Sequence, residues 1–187
     1  MSLQDLQQFV RTYDKSVYRL MACGKAAPTA ERWKAFEESI DFRFPSDFTE
    51  FSLSPLGGLS LEVDRDLWPR PSPLEAPDER ALYGVRVFGI GAGVPTWLDL
   101  REELEALPAE EPDLVPFMAR GNEQERYCFD LDEQIVRWSP RDGGREVINE
   151  NFYSLLLYEI AQLEKRRLVP AGEPVPKKKR GRPKKNF

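Results

Sequence analysis

The sequence predicts an α+β protein, with a mostly antiparallel sheet packed by helices from the two ends of the chain. Three observations carry this. Segments with helical apolar spacing gather at the start and the finish. The middle alternates apolar and polar residues over strand-length stretches joined by hairpin-sized turns. A single helical interruption separates those stretches, where a parallel βαβ sheet would need one at every crossover.

Taken in order, Leu3, Leu6, Val10, Tyr13, Val17, Leu20 and Met21 recur at helical spacing, so residues 3–22 read as one amphipathic helix. "GKAAPT" breaks it. Thr29 caps a second helix with Trp33, Phe36 and Ile40 on its inner face. Pro45 ends that segment, Ser46 caps a short third helix buried through Phe48 and Phe51, and Gly57-Gly58 closes it, allowing a turn with positive φ. Leu59, Leu61 and Val63 alternate as a strand does. "WPRPSPLEAP" (68–77) carries four prolines and reads as a surface loop. Tyr83, Val85 and Val87 mark one face of a second strand. Thr96 and Asp99 bracket the start of a helix carrying Leu100, Leu104 and Leu107. Three short strands follow, "LVPFMA", "RYCFDL" and "QIVRWS", with Gly121-Asn122 and Asp132-Glu133 at the turns. Asn151 caps a last helix to about residue 168, buried through Phe152, Leu155, Leu156, Ile160 and Leu163. No internal repeat is evident. The body is therefore residues 1–168. Residues 169–187, "VPAGEPVPKKKRGRPKKNF", hold four prolines, two glycines and dense charge, a composition that builds no core and reads as a disordered tail.

Charge divides the chain the same way. The 187 residues carry 27 Lys and Arg against 32 Asp and Glu, a formal charge of −5. Seven of the cations lie in 177–185 and every acid precedes residue 177, so residues 177–187 are +7 and residues 1–176 are 20 − 32 = −12, Glu173 being the one acid of that count beyond residue 168. An acidic body suits a basic partner or simple solubility. No apolar run has the length of a membrane span, and "MSLQDLQQFV" lacks the basic and apolar regions of a signal peptide, so a cytoplasmic protein is expected. Cys23 and Cys128, far apart, suit a reducing compartment and small core positions. There is no histidine, which removes His-activated Ser and Cys nucleophiles and all His metal sites; chemistry would have to rest on carboxylates, Lys or Tyr.

The stretch "ERWKAFEESIDFRFPSDFTEFSLSPLGG" resembles the signature of the SUKH superfamily, which includes yeast cell-wall-assembly regulators and bacterial toxin-immunity proteins. That pattern is a helix ending in Leu-Pro, an acidic-aromatic pair, and an aromatic-rich helix closed by Gly-Gly. Phe44-Pro45, Asp47-Phe48, Phe51 and Gly57-Gly58 occupy those places. Downstream, "VFGIG" is similar to the family's central strand and "LVPFMARGNEQERYCFDLDE" to its hairpin, so the resemblance covers roughly 25–165. Phe44 stands for the usual Leu, Leu56 for the usual Asn, and the Pro-rich insertion near residue 70 is long. The resemblance implies a non-catalytic binding module without cofactor or metal. Its implied partner is a protein, such as a basic toxin or nuclease that it neutralises.

Individual motifs are weighed beside this. "GIGAG" (Gly89 to Gly93) lacks the spacing of a dinucleotide loop and the Gly-Lys-Ser/Thr of a P-loop, so it reads as a strand end needing close backbone packing. Asp130 and Asp132, with Glu123 and Glu125 nearby, would hold Mg²⁺ or Ca²⁺ if they converge; otherwise they form a solvated hairpin rim, a structural turn or a partner contact. Trp68, Trp97 and Trp138 are candidate interface anchors or packing residues, with Trp68 the best surface candidate. In the tail, Arg180-Gly181-Arg182-Pro183 flanked by Lys177, Lys178, Lys179, Lys184 and Lys185 resembles an AT-hook. The arginines would enter a narrow A·T minor groove, Gly181 would leave the approach clear, Pro183 would hold an extended course, and the lysines would meet phosphates. A nuclear-import signal in a eukaryotic host and a generic polycation are the other readings, and a nucleoid-associated regulator led by the tail is the alternative to an immunity-type module. A carboxylate-dependent enzyme stands third.

Overall fold

The computed structural model describes residues 1–63, 84–120, 125–141 and 143–167. Its frame is a seven-stranded antiparallel meander, each strand paired with the next in sequence, with five α-helices.

Helix α1 (Leu3–Thr12) opens on a capping box in which Ser2 and Asp5 satisfy each other's backbone N–H groups. It stops there, and the expected helix to residue 22 is corrected. The Asp14 carboxylate accepts from the Ser16 N–H and hydroxyl, and the Asp14 carbonyl from the Val17 and Tyr18 N–H groups. That local turn outcompetes another helical turn. Residues Tyr18–Met21 leave it as β1, an edge strand on β2 (Ser60–Val63) with Leu20 opposite Leu61.

Helix α2 (Ala30–Ser39) is capped by Thr29 as expected. Its buried Glu37 then shapes the connection to α3 (Ser46–Leu53), accepting from the Phe44 N–H at 3.1 Å and the Arg43 guanidinium at 2.9 Å. Asp41 takes a positive φ of 51° in that connection, a conformation its short polar side chain tolerates. Ser46 makes no cap; Pro45 holds the N-cap position without a side-chain hydrogen bond, and Asp47 is the acid of the first turn. Phe44, in place of the family's Leu, has its ring 5.0 Å from Trp33 and 5.2 Å from Phe48, so it extends an aromatic cluster rather than disturbing it.

β3 (Gly84–Val87) leads through a 3₁₀ turn (Thr96–Leu98) to α4 (Leu100–Glu105), whose cap is Asp99. β4 (Val115–Arg120), β5 (Arg126–Phe129) and β6 (Ile135–Trp138) follow as expected. A further strand, β7 (Arg145–Ile148), closes the other edge. Asn151 caps α5 (Phe152–Arg167) by accepting from the Ser154 N–H. Trp68, Tyr83, Glu123, the Pro-rich loop, Gly121-Asn122 and the tail lie outside the described residues.

Directly paired residues share a sheet face. One face presents Leu61, Val63, Val85, Val87, Met118, Tyr127, Phe129 and Ile135 to the main core, where α1, α3 and α5 pack on one another. The register of β4 shifts between Pro116 and Met118, and Phe117, falling in that shift, stacks on Phe129 with centroids 4.1 Å apart. Phe48 meets both rings of this stack, and Phe152 meets Phe117 and Phe48, with centroids 5.1 to 5.9 Å apart. The opposite face carries Arg126, Cys128, Val136 and Trp138. Leu114, Cys128 and Trp138, with Leu107 against them, form a second, smaller core on that side, and Arg126 pairs with Glu103 of α4 at 2.7 Å.

Candidate partner-binding surface

The β5–β6 turn is built by Asp130. Its carboxylate accepts from the Asp132 N–H at 3.0 Å and the Gln134 N–H at 2.8 Å, while its backbone pairs with Gln134 and Glu133. Glu133 adopts a positive φ of 60° to close the turn. Asp130 thus spends its carboxylate on the fold, whereas Asp132 and Glu133 are exposed and Leu131, between them and Asp130, is 70% exposed. Glu125, the neighbour considered for a metal, lies 4.0 Å from Arg120 instead. Among the described residues no group of three or more His, Cys, Asp or Glu is placed to hold a metal ion.

Beside this turn lies a groove of about 560 Å³ lined by Glu133, Gln134, Ile135, Val147, Ile148, Asn149, Glu150 and Asn151. It sits where β6 begins and β7 ends, because Ile135 pairs with Ile148. Ile135 and the half-buried Ile148 give it an apolar floor and Glu133 and Glu150 an acidic rim, while Val147, 52% exposed, belongs to the other face of the sheet. The cations of the same edge are already engaged. Arg137 bonds Glu146 across the β6–β7 ladder, and Arg145 bonds Glu111 and both oxygens of Asp113. The Arg145 hydrogen bonds hold the Asp113 carboxyl below its ordinary range. Trp138, a candidate anchor, is buried at this edge and donates its indole N–H to Glu111 at 3.2 Å, so it packs and pins.

A second surface lies toward the other end of the sheet. Gly57, Gly58, Gly89 and Gly91 bring three backbone segments together around Cys23. A methyl on Gly91 would sit 2.5 Å from the Cys23 sulfur and 2.7 Å from the Ala26 carbonyl oxygen; one on Gly89 would sit 2.7 Å from the Gly58 nitrogen. Close backbone packing is thus the role of the first part of "GIGAG", as its spacing indicates. Gly58, at φ 63°, supplies the expected turn. A notch of about 70 Å³ remains, lined among others by Met21, Cys23, Val94 and Pro95. Trp97 follows immediately in the chain and is 42% exposed, the exposed tryptophan among the described residues. Burial raises the Cys23 thiol above its ordinary value, and burial pushes Cys128 up to about 12, so neither is an activated nucleophile.

Between the two surfaces the helical layer is locked to the sheet by buried polar contacts. Glu159 of α5 accepts from Arg120 Nε at 2.9 Å, Arg120 Nη2 at 2.6 Å and the Tyr127 hydroxyl at 2.7 Å. Burial first, and then the Glu159 charge, raise the Tyr127 phenol well above its ordinary value. Asp47 reaches from α3 to accept from the Phe152 N–H at 3.0 Å, capping α5 from a neighbouring helix, and the Tyr153 hydroxyl donates to Glu50 at 3.0 Å. Burial and that bond raise Tyr153 likewise. These contacts bridge residues far apart in the chain, and no local pattern announces them.

Fold and surfaces define a single-sheet α+β scaffold that offers an acidic edge and, elsewhere, one exposed tryptophan among the described residues. The model of the SMI1 / KNR4 family (SUKH-1) matches residues 27–157, and the chain belongs to that family. Membership is consistent with an immunity-type protein-binding module, and proteins of this family are generally non-catalytic. No curated protein matches the sequence. The basic tail lies outside the matched span.

Proposed function

We propose that the protein is an immunity-type module that binds and neutralises a basic protein toxin, such as a nuclease, in the cytoplasm. The observation that carries the reading is family membership joined to a charge of −12 over residues 1–176. Complementary charge speeds encounter and selects against acidic partners. The free thiols of Cys23 and Cys128 suit a reducing compartment. The test is to express the basic protein encoded beside this gene, alone and with the full chain. Growth arrest relieved by the chain, and a purified complex whose association rate falls between low and physiological salt, are the expected results. An unrelieved arrest, an acidic partner, or a salt-indifferent rate would overturn the reading.

A second reading rests on Arg180-Gly181-Arg182-Pro183 and its five flanking lysines. In it the tail contacts A·T-rich duplex DNA and the body recruits partners. Binding of the full chain should be micromolar or weaker, about the scale of non-specific contact at physiological salt. Arg180→Ala or Arg182→Ala should erase preference for A·T over G·C, while alanines at Lys177 to Lys179 weaken both alike. Equal affinity of the unmodified chain for the two duplexes would leave only a polycation.

A further inference from the structure

We propose that the acidic groove at the free edge of β7 is a docking site for an extended Lys- and Arg-rich segment, and that its occupant is this chain's own residues 177–185. The inference does not depend on the toxin or the DNA reading. Among the described residues β7 pairs with β6 alone, so its outer backbone groups are open to an added chain. Ile135 and the half-buried Ile148 give the groove an apolar floor on which lysine and arginine methylenes can lie, while Glu133 and Glu150 of its rim and Asp132 beside it can meet the charged heads. Arg137 and Arg145 oppose no such visitor, because Glu146, Glu111 and Asp113 already neutralise them.

The chain's own connectivity argues for this occupant. Asn149–Asn151, at the groove, lead directly into α5, whose 16 residues carry the backbone about 24 Å away. The ten-residue step from Arg167 to Lys177 can span up to about 33 Å, enough to return the first lysine to the groove. Tethering also sets an effective concentration of about a millimolar or more, so contacts too weak to hold a free peptide suffice to hold this one. The seven cations of the tail face a body of opposite sign. Docked, the tail would be withheld from other anions, and a basic partner seated on the groove would release it.

The test compares the full chain with a full-length variant in which Lys177, Lys178, Lys179, Lys184 and Lys185 and Arg180 and Arg182 are replaced by Gln. These changes leave the body untouched. At low salt, backbone amide resonances should differ between the two chains at Glu133–Ile135 and Val147–Asn151, and the difference should vanish at roughly 0.5 M salt. Carbodiimide should link the tail lysines to Asp132, Glu133 or Glu150 within one molecule. Yield at the two remaining acids should fall roughly three- to tenfold when any one is replaced by its amide. Identical spectra, shifts confined to other surfaces, or links spread evenly over exposed acids such as Glu38 and Glu110 would overturn the proposal. Links found solely between differently labelled copies would overturn it too, by naming a second copy as the occupant.

Discussion

Replacing Glu159 should be among the most damaging single changes to this fold. The carboxylate is 3% exposed and accepts three hydrogen bonds, two from Arg120 and one from Tyr127. Glu159→Gln keeps the shape but removes the charge and turns one acceptor into a donor that faces an Arg120 N–H. Breaking one side of a buried ion pair costs about 3–5 kcal/mol. The lower end applies here, because Arg120 keeps 19% exposure and Glu125 stands 4.0 Å away as a partial substitute. A loss of about 3 kcal/mol corresponds to a fall in Tm of roughly 6–12 °C for a chain of this size. Urea melts of the full chain at pH 7 should show the midpoint fall with an unchanged slope. The combined variant Arg120→Met, Tyr127→Phe, Glu159→Leu removes every member of the network and should recover most of the loss, since apolar groups of similar volume pack without a desolvation penalty. A Glu159→Gln chain within about 0.5 kcal/mol of the parent, or a triple variant less stable than the single one, would refute the account.

Gly91→Ala should cost about 1–3 kcal/mol by overpacking against Cys23 and the Ala26 carbonyl, read as a lowered urea midpoint, with Cys23→Ala restoring part of it. Tyr127 and Tyr153 both hold their protons above the ordinary phenol value of about 10. The unfolded phenols ionise near that value, so the stabilisation is complete below about pH 10 and is lost as pH rises toward the folded values. Tyr127→Phe should therefore flatten the alkaline limb of the stability profile while costing about 1 kcal/mol at pH 7.

Most of the fold was legible because most of its elements bury one face. β2 through β6 alternate or run apolar, and Phe48, Phe51 and Phe152 mark the inner faces of α3 and α5 by their spacing. The two sheet edges were not legible, for opposite reasons. At β1, Leu20 and Met21 of the strand and Val17 just before it fall by coincidence on the stripe begun by Leu3 and Leu6, and the bonding of Asp14 to Ser16, Val17 and Tyr18 breaks the helix. In β7, Arg145, Glu146 and Val147 are all exposed, so no apolar alternation marks a strand that exists by backbone pairing and by arginine–carboxylate contacts. The groove went unread with it. Its two walls lie more than ten residues apart and meet only through the register of Ile135 with Ile148. Asp130 was legible as a turn residue; that its neighbour Asp132 remains outward depends on hydrogen bonds the sequence does not display.

The charge of the body acquires meaning once its pairs are laid out. Arg43, Arg101, Arg120, Arg126, Arg137 and Arg145 each bond carboxylates across a loop, a ladder or a helix–sheet contact. Arginine suits this work because its planar fork satisfies two oxygens at once. These pairs use up acids faster than cations: Arg145 alone takes two carboxylates, and so does Arg120. Most of the −12 of residues 1–176 still resides in acids outside these pairs; Glu133 and Glu150 line the groove at one corner of the sheet and Asp132 adjoins Glu133 in the chain. An unpaired surplus contributes little to holding the fold, but its field reaches about a Debye length into solvent, roughly 8 Å at physiological ionic strength. Structural charge and recognition charge are thus separable in this protein. Salt should leave the buried pair of Arg120 with Glu159 nearly untouched, weaken exposed pairs such as Arg137 with Glu146, and erase the recognition field, whether the cationic visitor is a partner's surface or the chain's own tail.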